Sequence, residues 1–331
     1  MPTRRVQQDW PPDREFRILA IDGGGIKGIF PAAILSGLEN QYLGGKSITS
    51  YFDLITGTST GGIIALGLAA GLQAKTILEL YTKRGNEIFP PGYAPLHFLR
   101  KWLRVLKYSY DREALKRILV ETFQEKKFGS AETRLCIPSF DGTHGEVAVF
   151  KTPHHADFKK DAYMSMVDVA CATAAAPTFF RPYKSGGYTF VDGGVWANNP
   201  IMIGLVDALS CFNVQPQRVS ILSISCGDAP YIIENKHIEW GGLFQWRKIM
   251  NASMHLQSLN ARGQAGLLIG ADKITRLSPR PPQKKIEMDD WLAAKEYLPT
   301  EAEFCLHEVG DSIAKQFLQS PVEPYEPLIA V

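Results

Sequence analysis

Apolar and polar positions follow two different periods along the first 230 residues. Residues 16–21 read Phe-Arg-Ile-Leu-Ala-Ile, an apolar run of strand length that ends at Asp22 and three glycines. Over residues 26–42 the apolar positions return at helical spacing, at Ile29, Ala33, Ile34 and Leu38. Residues 52–56 read as a second buried strand, running into Gly57-Thr58-Ser59-Thr60-Gly61-Gly62 and then a helix over 63–71. A strand pair is predicted at 133–140 and 146–150 around Asp141-Gly142, and a small-residue helix at 167–176, stopped by Pro177. A strand at 188–192, a helix at 203–212 and a strand at 219–225 complete the series. Strands alternating with helices predict an α/β class, with a mostly parallel central sheet and helices packed on its faces. After residue 230 the alternation weakens. Ser278-Pro279-Arg280-Pro281-Pro282 breaks the chain, and 301–318 reads as a last helix. The expected division is a polar N-terminal arm (1–15), an α/β core (16–230) and a C-terminal helical portion (231–331) packed on the same domain.

Composition narrows the function classes. The 331 residues are 45% hydrophobic, enough for a substantial core and too many for a disordered chain. With 36 Lys+Arg against 34 Asp+Glu, the net charge of +2 gives no global drive toward nucleic acid or an anionic membrane. Such affinity has to come from a local patch. Five cysteines at 136, 171, 211, 226 and 305 include no Cys-x-x-Cys pair, so neither a disulfide framework nor a zinc knuckle is indicated. Residues 1–16 contain no apolar signal-peptide stretch, and 63–72 is too short and glycine-interrupted to span a bilayer. A soluble cytoplasmic protein is the expectation. The 29 glycines exceed the roughly 23 of average usage, and their positions carry the chemistry.

Gly57-x-Ser59-x-Gly61 lies between an apolar strand and a small-residue helix. A sharp strand-to-helix turn strains the backbone at a nucleophile, and flanking glycines remove the Cβ clashes it creates. The bland alternative is a glycine-rich turn with a capping serine. Asp22-Gly23-Gly24-Gly25-Ile26-Lys27-Gly28 marks a second strand-to-helix junction. Its spacing satisfies the dinucleotide fingerprint, but Asp22 is badly placed beside a pyrophosphate and the next strand ends in a serine turn. Ile29 after Gly28 excludes a Walker A loop. Bare glycines at 23, 24 and 25 suit an oxyanion hole, because their N–H groups are unobstructed. Asp192-Gly193-Gly194 closes the strand at 188–192 and can reach the crevice of Ser59.

Seven histidines, at 97, 144, 154, 155, 237, 255 and 307, stand outside these glycine motifs. His154-His155 reads as a solvated polar loop with no third metal ligand. A Ser59–Asp192 dyad therefore fits better than a histidine-based triad.

Four ordered blocks now resemble one family: D-G-G-G-x-K-G at 22–28, the elbow at 57–61, A-A-A-P-T-F at 174–179 and D-G-G-V-W-A-N-N-P at 192–200. Together they resemble the patatin-like phospholipases. The resemblance implies a three-layer α/β/α fold and metal-free hydrolysis of glycerophospholipid acyl esters. Ser59 matches the nucleophile, Asp192 the base and Gly23, Gly24 and Gly25 the oxyanion loop. Lys27 stands where the family has Arg or Lys; it either orients the lipid phosphate or pairs with a surface acid. Ser223-Ile224-Ser225-Cys226-Gly227 departs from the L-G-T-G of many relatives, at a structural strand end. The compact length, 61–67 and Ile88-Phe89-Pro90 resemble bacterial members, some of which are anti-phage effectors switched on by a cyclic oligonucleotide. A nucleotide-sensing regulator with a vestigial hydrolase site is the alternative, with a nicotinamide-dependent dehydrogenase a distant third.

For surface contact, residues 89–110 carry aromatic and basic residues together. On a helix Arg100, Arg104 and Lys107 share one side while Trp102 and three leucines cover the other. This is the composition of an interfacial anchor or lid, of a helix docked on the core, or of a seat for a phosphodiester activator. Arg276, Arg280, Lys284 and Lys285 read as a solvated basic loop. The expected partners are phospholipids at the inner membrane surface and a cyclic di- or trinucleotide, with homo-oligomer formation left open. No metal, other cofactor, DNA or RNA polymer is expected.

Overall fold

A computed structural model describes residues 5–90, 109–227, 249–282 and 285–331. Strand alternation sorts its core into two layers. In β1 (Phe16–Ile21), Phe16, Ile18 and Ala20 face one apolar cluster while Leu19 and Ile21 face another. The same split holds in β2 (Leu54–Gly57), β3 (Arg134–Asp141) and β7 (Val219–Ile224). These strands are buried on both faces, which requires helices above and below.

The sheet also contains β4 (Glu146–Lys151), β5 (Tyr183–Ser185), β6 (Tyr188–Asp192) and β8 (Ile274–Leu277). Its order is β5-β6-β3-β2-β1-β7-β8, with β4 on β3. Pairing is parallel from β3 through β8 and antiparallel among β3, β4, β5 and β6. The larger cluster is built by α1 (Ile29–Tyr42), α2 (Thr60–Ala69), α3 (Ala74–Ile88), α4 (Glu113–Phe123), α5 (Met166–Thr173) and, after the sheet is complete, α9 (Trp291–Phe317). On the opposite face lies α7 (Ile201–Cys211), with α8 (Ile249–Ile269) packed on it and on the short α6 (Gly194–Ala197). The α/β/α expectation is met.

Three sequence expectations change. The tail is not only helical: β8 pairs in parallel with β7 and extends the sheet past residue 230. The last helix begins ten residues early and runs through Pro299. Asp290 caps it by accepting the Ala293 N–H, and Leu298, Ala302, Leu306 and Ile313 bury its inner face, compensating the missing proline donor. The N-terminal arm is anchored by buried Trp10, 4.7 Å from the Phe16 ring and 5.3 Å from Phe212.

One feature of the sheet positions the site. β4 occupies one edge of β3 over residues 136–141. The other edge is shared: Arg134–Cys136 pair with β2, and Ser139–Asp141 pair with β6 running the opposite way. The carboxyl ends of β2 and β6 therefore point at each other across a three-residue step of β3, about 10 Å. Ser59 follows one of those ends and Asp192 closes the other.

Candidate active site

Ser59 sits at φ 55°, ψ −118°, immediately before α2. A positive φ at a non-glycine residue is strained, and on this sharp strand-to-helix turn it is the backbone expected of a nucleophile elbow. The turn closes because its neighbours are bare: a Cβ on Gly61 would lie 2.2 Å from the Ile21 carbonyl oxygen, and one on Gly57 2.2 Å from that of Gly61. The Ser59 N–H donates to Thr173 Oγ1 (3.0 Å), whose own hydroxyl donates to the Pro138 carbonyl (2.6 Å). Thr173 was not singled out in the sequence, where it looks like one more core position in an alanine-rich helix.

Ser59 Oγ donates directly to Asp192 Oδ2 at 2.6 Å, and Asp192 Oδ1 accepts the Gly194 N–H at 2.7 Å. No imidazole stands between hydroxyl and carboxylate. Asp192 is only 4% exposed. Burial pushes its pKa up to about 6, against the lowering effect of its two hydrogen bonds. A carboxylate of that pKa can take a proton at neutral pH and return it.

The glycine loop abuts the serine, since a Cβ on Gly23 would lie 3.4 Å from Ser59 Cβ. The structure narrows the expected donor set of three. The Gly23 N–H already donates to the Asn198 carbonyl (3.0 Å). The N–H groups of Gly24 and Gly25 make no hydrogen bond among the described residues, and Gly25 has φ +60°, which glycine adopts without strain. Thr60 adds an N–H at the start of α2, where no intrahelical acceptor exists and the helix dipole favours negative charge. The block at 192–200 clamps both loops: Ala197 O accepts from Thr58 Oγ1 at 2.6 Å, beside the Asn198–Gly23 bond.

Asp22 is fully buried and paired through both carboxylate oxygens with Arg276, which also donates to Ser223 Oγ at 2.7 Å. Arg276 is thus no solvated loop cation; it links β8 to the carboxyl end of β1 across β7. Arg280 likewise holds Glu301 through two donors, each at 3.0 Å. Lys285 pairs with Glu287 at the surface, and Lys284 lies outside the described residues. Lys27 Nζ donates to the Gly227 carbonyl at 2.6 Å, tying the glycine loop to the end of β7. Arg100, Trp102, Arg104 and Lys107 also lie outside the described residues.

His154 and His155 are buried, contrary to the solvated-loop expectation, because their partners are distant in sequence. His154 Nε2 meets Asp207 Oδ2 at 2.7 Å, and Asp207 also pairs with Lys151. Both partners hold the Asp207 carboxyl well below the usual range, overcoming its burial. Cys136 joins His154 and Asp207 with ligand atoms within 4.8 Å. Lys151 already supplies the positive charge there, on the face of the sheet opposite α2. All five cysteines are free thiols.

Fold and site together define an α/β protein with an elbow serine hydrogen-bonded to a strand-end carboxylate. The chain belongs to the patatin-like phospholipase family, whose pattern matches residues 19–205. It is 40% identical over 190 residues to a cGAMP-activated phospholipase of Pseudomonas aeruginosa, covering 57% of this chain and 56% of that protein. Against a cGAMP-activated phospholipase of Vibrio cholerae it is 37% identical over 212 residues, 59% of either chain. Patatin-like protein 2 of Arabidopsis thaliana is 31% identical over 264 residues, 69% of this chain and 64% of that one. The chain thus spans less than two thirds of the length of these relatives.

Proposed function

We propose that this protein is a phospholipase that hydrolyses fatty-acyl esters of membrane glycerophospholipids through an acyl-serine intermediate. The observation that carries the reading is the 2.6 Å hydrogen bond from Ser59 Oγ to the buried Asp192 carboxylate. Asp192 Oδ2 accepts the hydroxyl proton as Ser59 Oγ bonds to the ester carbonyl carbon. The carbonyl oxygen becomes an oxyanion beside the N–H groups of Gly24, Gly25 and Thr60, which are already in place when charge develops. The tetrahedral species collapses, the C–O bond to the lysolipid breaks, and Asp192 returns the proton to that departing oxygen. Water then gives a proton to Asp192, attacks the acyl-serine and releases the fatty acid while Ser59 regains its hydrogen.

The same reading includes activation by a cyclic dinucleotide, supported by the two bacterial relatives described as cGAMP-activated. No helix among the described residues is long and apolar enough to cross a membrane; the reading places the reaction at the cytoplasmic surface of the membrane, where a phospholipase meets its substrate. The direct hydrogen bond from Ser59 to Asp192 supports the hydrolase reading over a regulator with a vestigial site.

Purified protein should hydrolyse phospholipid vesicles when cGAMP is added and much less without it. Hydrolysis independent of cGAMP removes the activation step; none under either condition removes the phospholipase reading. The pH profile is a separate prediction. Ionised Asp192 is the active form, so kcat/KM should rise with pH through about 6 and reach a plateau above it. A flat profile across that range would show that another group takes the proton.

A further inference from the structure

One cavity lies apart from the dyad, with neither Ser59 nor Asp192 in its lining. It is an open cleft of about 810 Å³ flanked by β4 and β6 and by the segment around residues 157–161, within the roughly 300–1,000 Å³ range of small-molecule sites. We propose that this cleft binds the activating cyclic dinucleotide, with Lys159 and Lys160 on its phosphodiesters and Tyr188 beside a base. The assignment rests on the activation reading above.

A cyclic dinucleotide offers two anionic phosphodiesters, two aromatic faces and base edges rich in donors, and the cleft answers each. Most of its charges are already spent. Arg5 pairs with Asp157 and Lys151 with Asp207, while Asp161 accepts the Lys151 N–H and Asp141 the Thr143 N–H. Lys159 is exposed and has no carboxylate partner among the described residues. Lys160 Nζ lies 4.2 Å over the Tyr188 ring and donates to its hydroxyl at 2.9 Å, with no direct ion pair among the described residues, while the Asp161 and Asp141 carboxylates act on it from farther off. Two adjacent amines not locked in direct ion pairs can turn to a phosphodiester. Glu146, also exposed and without a cationic partner among the described residues, can accept from a guanine edge.

The position explains how occupancy reaches the chemistry. Tyr188, Phe190 and Asp192 alternate along β6 and share one face. The Tyr188 and Phe190 rings stack at 5.8 Å and 19°, and Phe190 packs on Phe150 at 5.2 Å. A ligand that draws Lys160 from Tyr188 therefore acts on the strand whose last residue holds Ser59. The distance from Tyr188 to Asp192 along it is about 13 Å.

An anionic lipid headgroup shares the phosphodiester but has no base, and the test separates the two. Titration calorimetry of the full chain compares cGAMP with glycerophosphoglycerol, for wild type, Tyr188→Ala, Tyr188→Phe and the double variant Lys159→Ala/Lys160→Ala. Circular dichroism melting checks that each is folded; should Tyr188→Ala fail to fold, the exposed lysine pair carries the test. We expect wild type to bind cGAMP at least tenfold more tightly than glycerophosphoglycerol. Tyr188→Ala and the lysine pair should each lose tenfold or more, and Tyr188→Phe less than threefold. Wild-type binding that survives the lysine substitutions unchanged overturns the cleft assignment and leaves activation standing. Equal binding of glycerophosphoglycerol assigns the cleft to a headgroup and overturns the nucleotide. Failure of wild type to bind cGAMP overturns the assignment and the activation reading together.

Discussion

Ser59→Ala should reduce phospholipid and short-chain ester hydrolysis by about 10⁴-fold or more, since losing a nucleophile removes the covalent route itself. The substitution deletes one oxygen at a position whose backbone is held by the Thr173 hydroxyl and by close contacts at Gly57 and Gly61. Folding should survive, with stability changed by about 1 kcal/mol. Rate assays alongside thermal melting check both halves. Retained hydrolysis in a folded Ser59→Ala protein would remove Ser59 as the nucleophile.

Asp192→Asn should give the second large effect, and in two directions. Loss of the proton acceptor should cost about 10²–10⁴-fold in kcat/KM. Stability should move the other way. The carboxylate's pKa rises from 3.8 to about 6 on folding, so above pH 6 it is ionised in both states and its burial penalty is fully present. As pH falls through 6 the folded state takes up its proton first, and the penalty fades. That shift corresponds to about 3 kcal/mol. An uncharged amide avoids the penalty, so Asp192→Asn should melt higher than wild type at pH 8, by on the order of 5 °C, with the gap narrowing as pH falls through about 6 and closing only below the unfolded value of 3.8. A gap independent of pH would show that Asp192 is not the titrating group.

Much of this site was legible in the chain because glycine punctuates it. Gly57, Gly61 and Gly193 mark two strand ends where side chains do not fit, and the residues beside them, Ser59 between the first two and Asp192 before the third, are the ones that meet. Their meeting was not legible. It depends on β2 and β6 sharing one edge of β3 in opposite senses, a pairing between residues far apart in sequence. The glycine loop was legible as a loop but not in its division of labour, since the carbonyl that occupies Gly23 belongs to Asn198. Thr173 and Arg276 escaped for the same reason: each acts through partners distant in sequence and has no local signature. The helix predicted to 176 stops at Thr173, as Pro177 disfavours helical backbone before it. β8 escaped because Ile-Thr-Arg-Leu is short and carries a charge, which long-range partners such as buried Asp22 and Ser223 make tolerable.

The central claim is that Ser59 forms a covalent bond to the substrate's acyl carbon with Asp192 as its proton acceptor. The most direct measurement is peptide mass spectrometry of the full chain after reaction with a fluorophosphonate, an acyl-ester mimic that bonds to an activated serine with loss of fluoride. The account predicts one labelled peptide, the one containing Ser59, with labelling lost in Ser59→Ala and strongly slowed in Asp192→Asn. Label on another residue, or labelling of Ser59 at full rate without the Asp192 carboxylate, would contradict it.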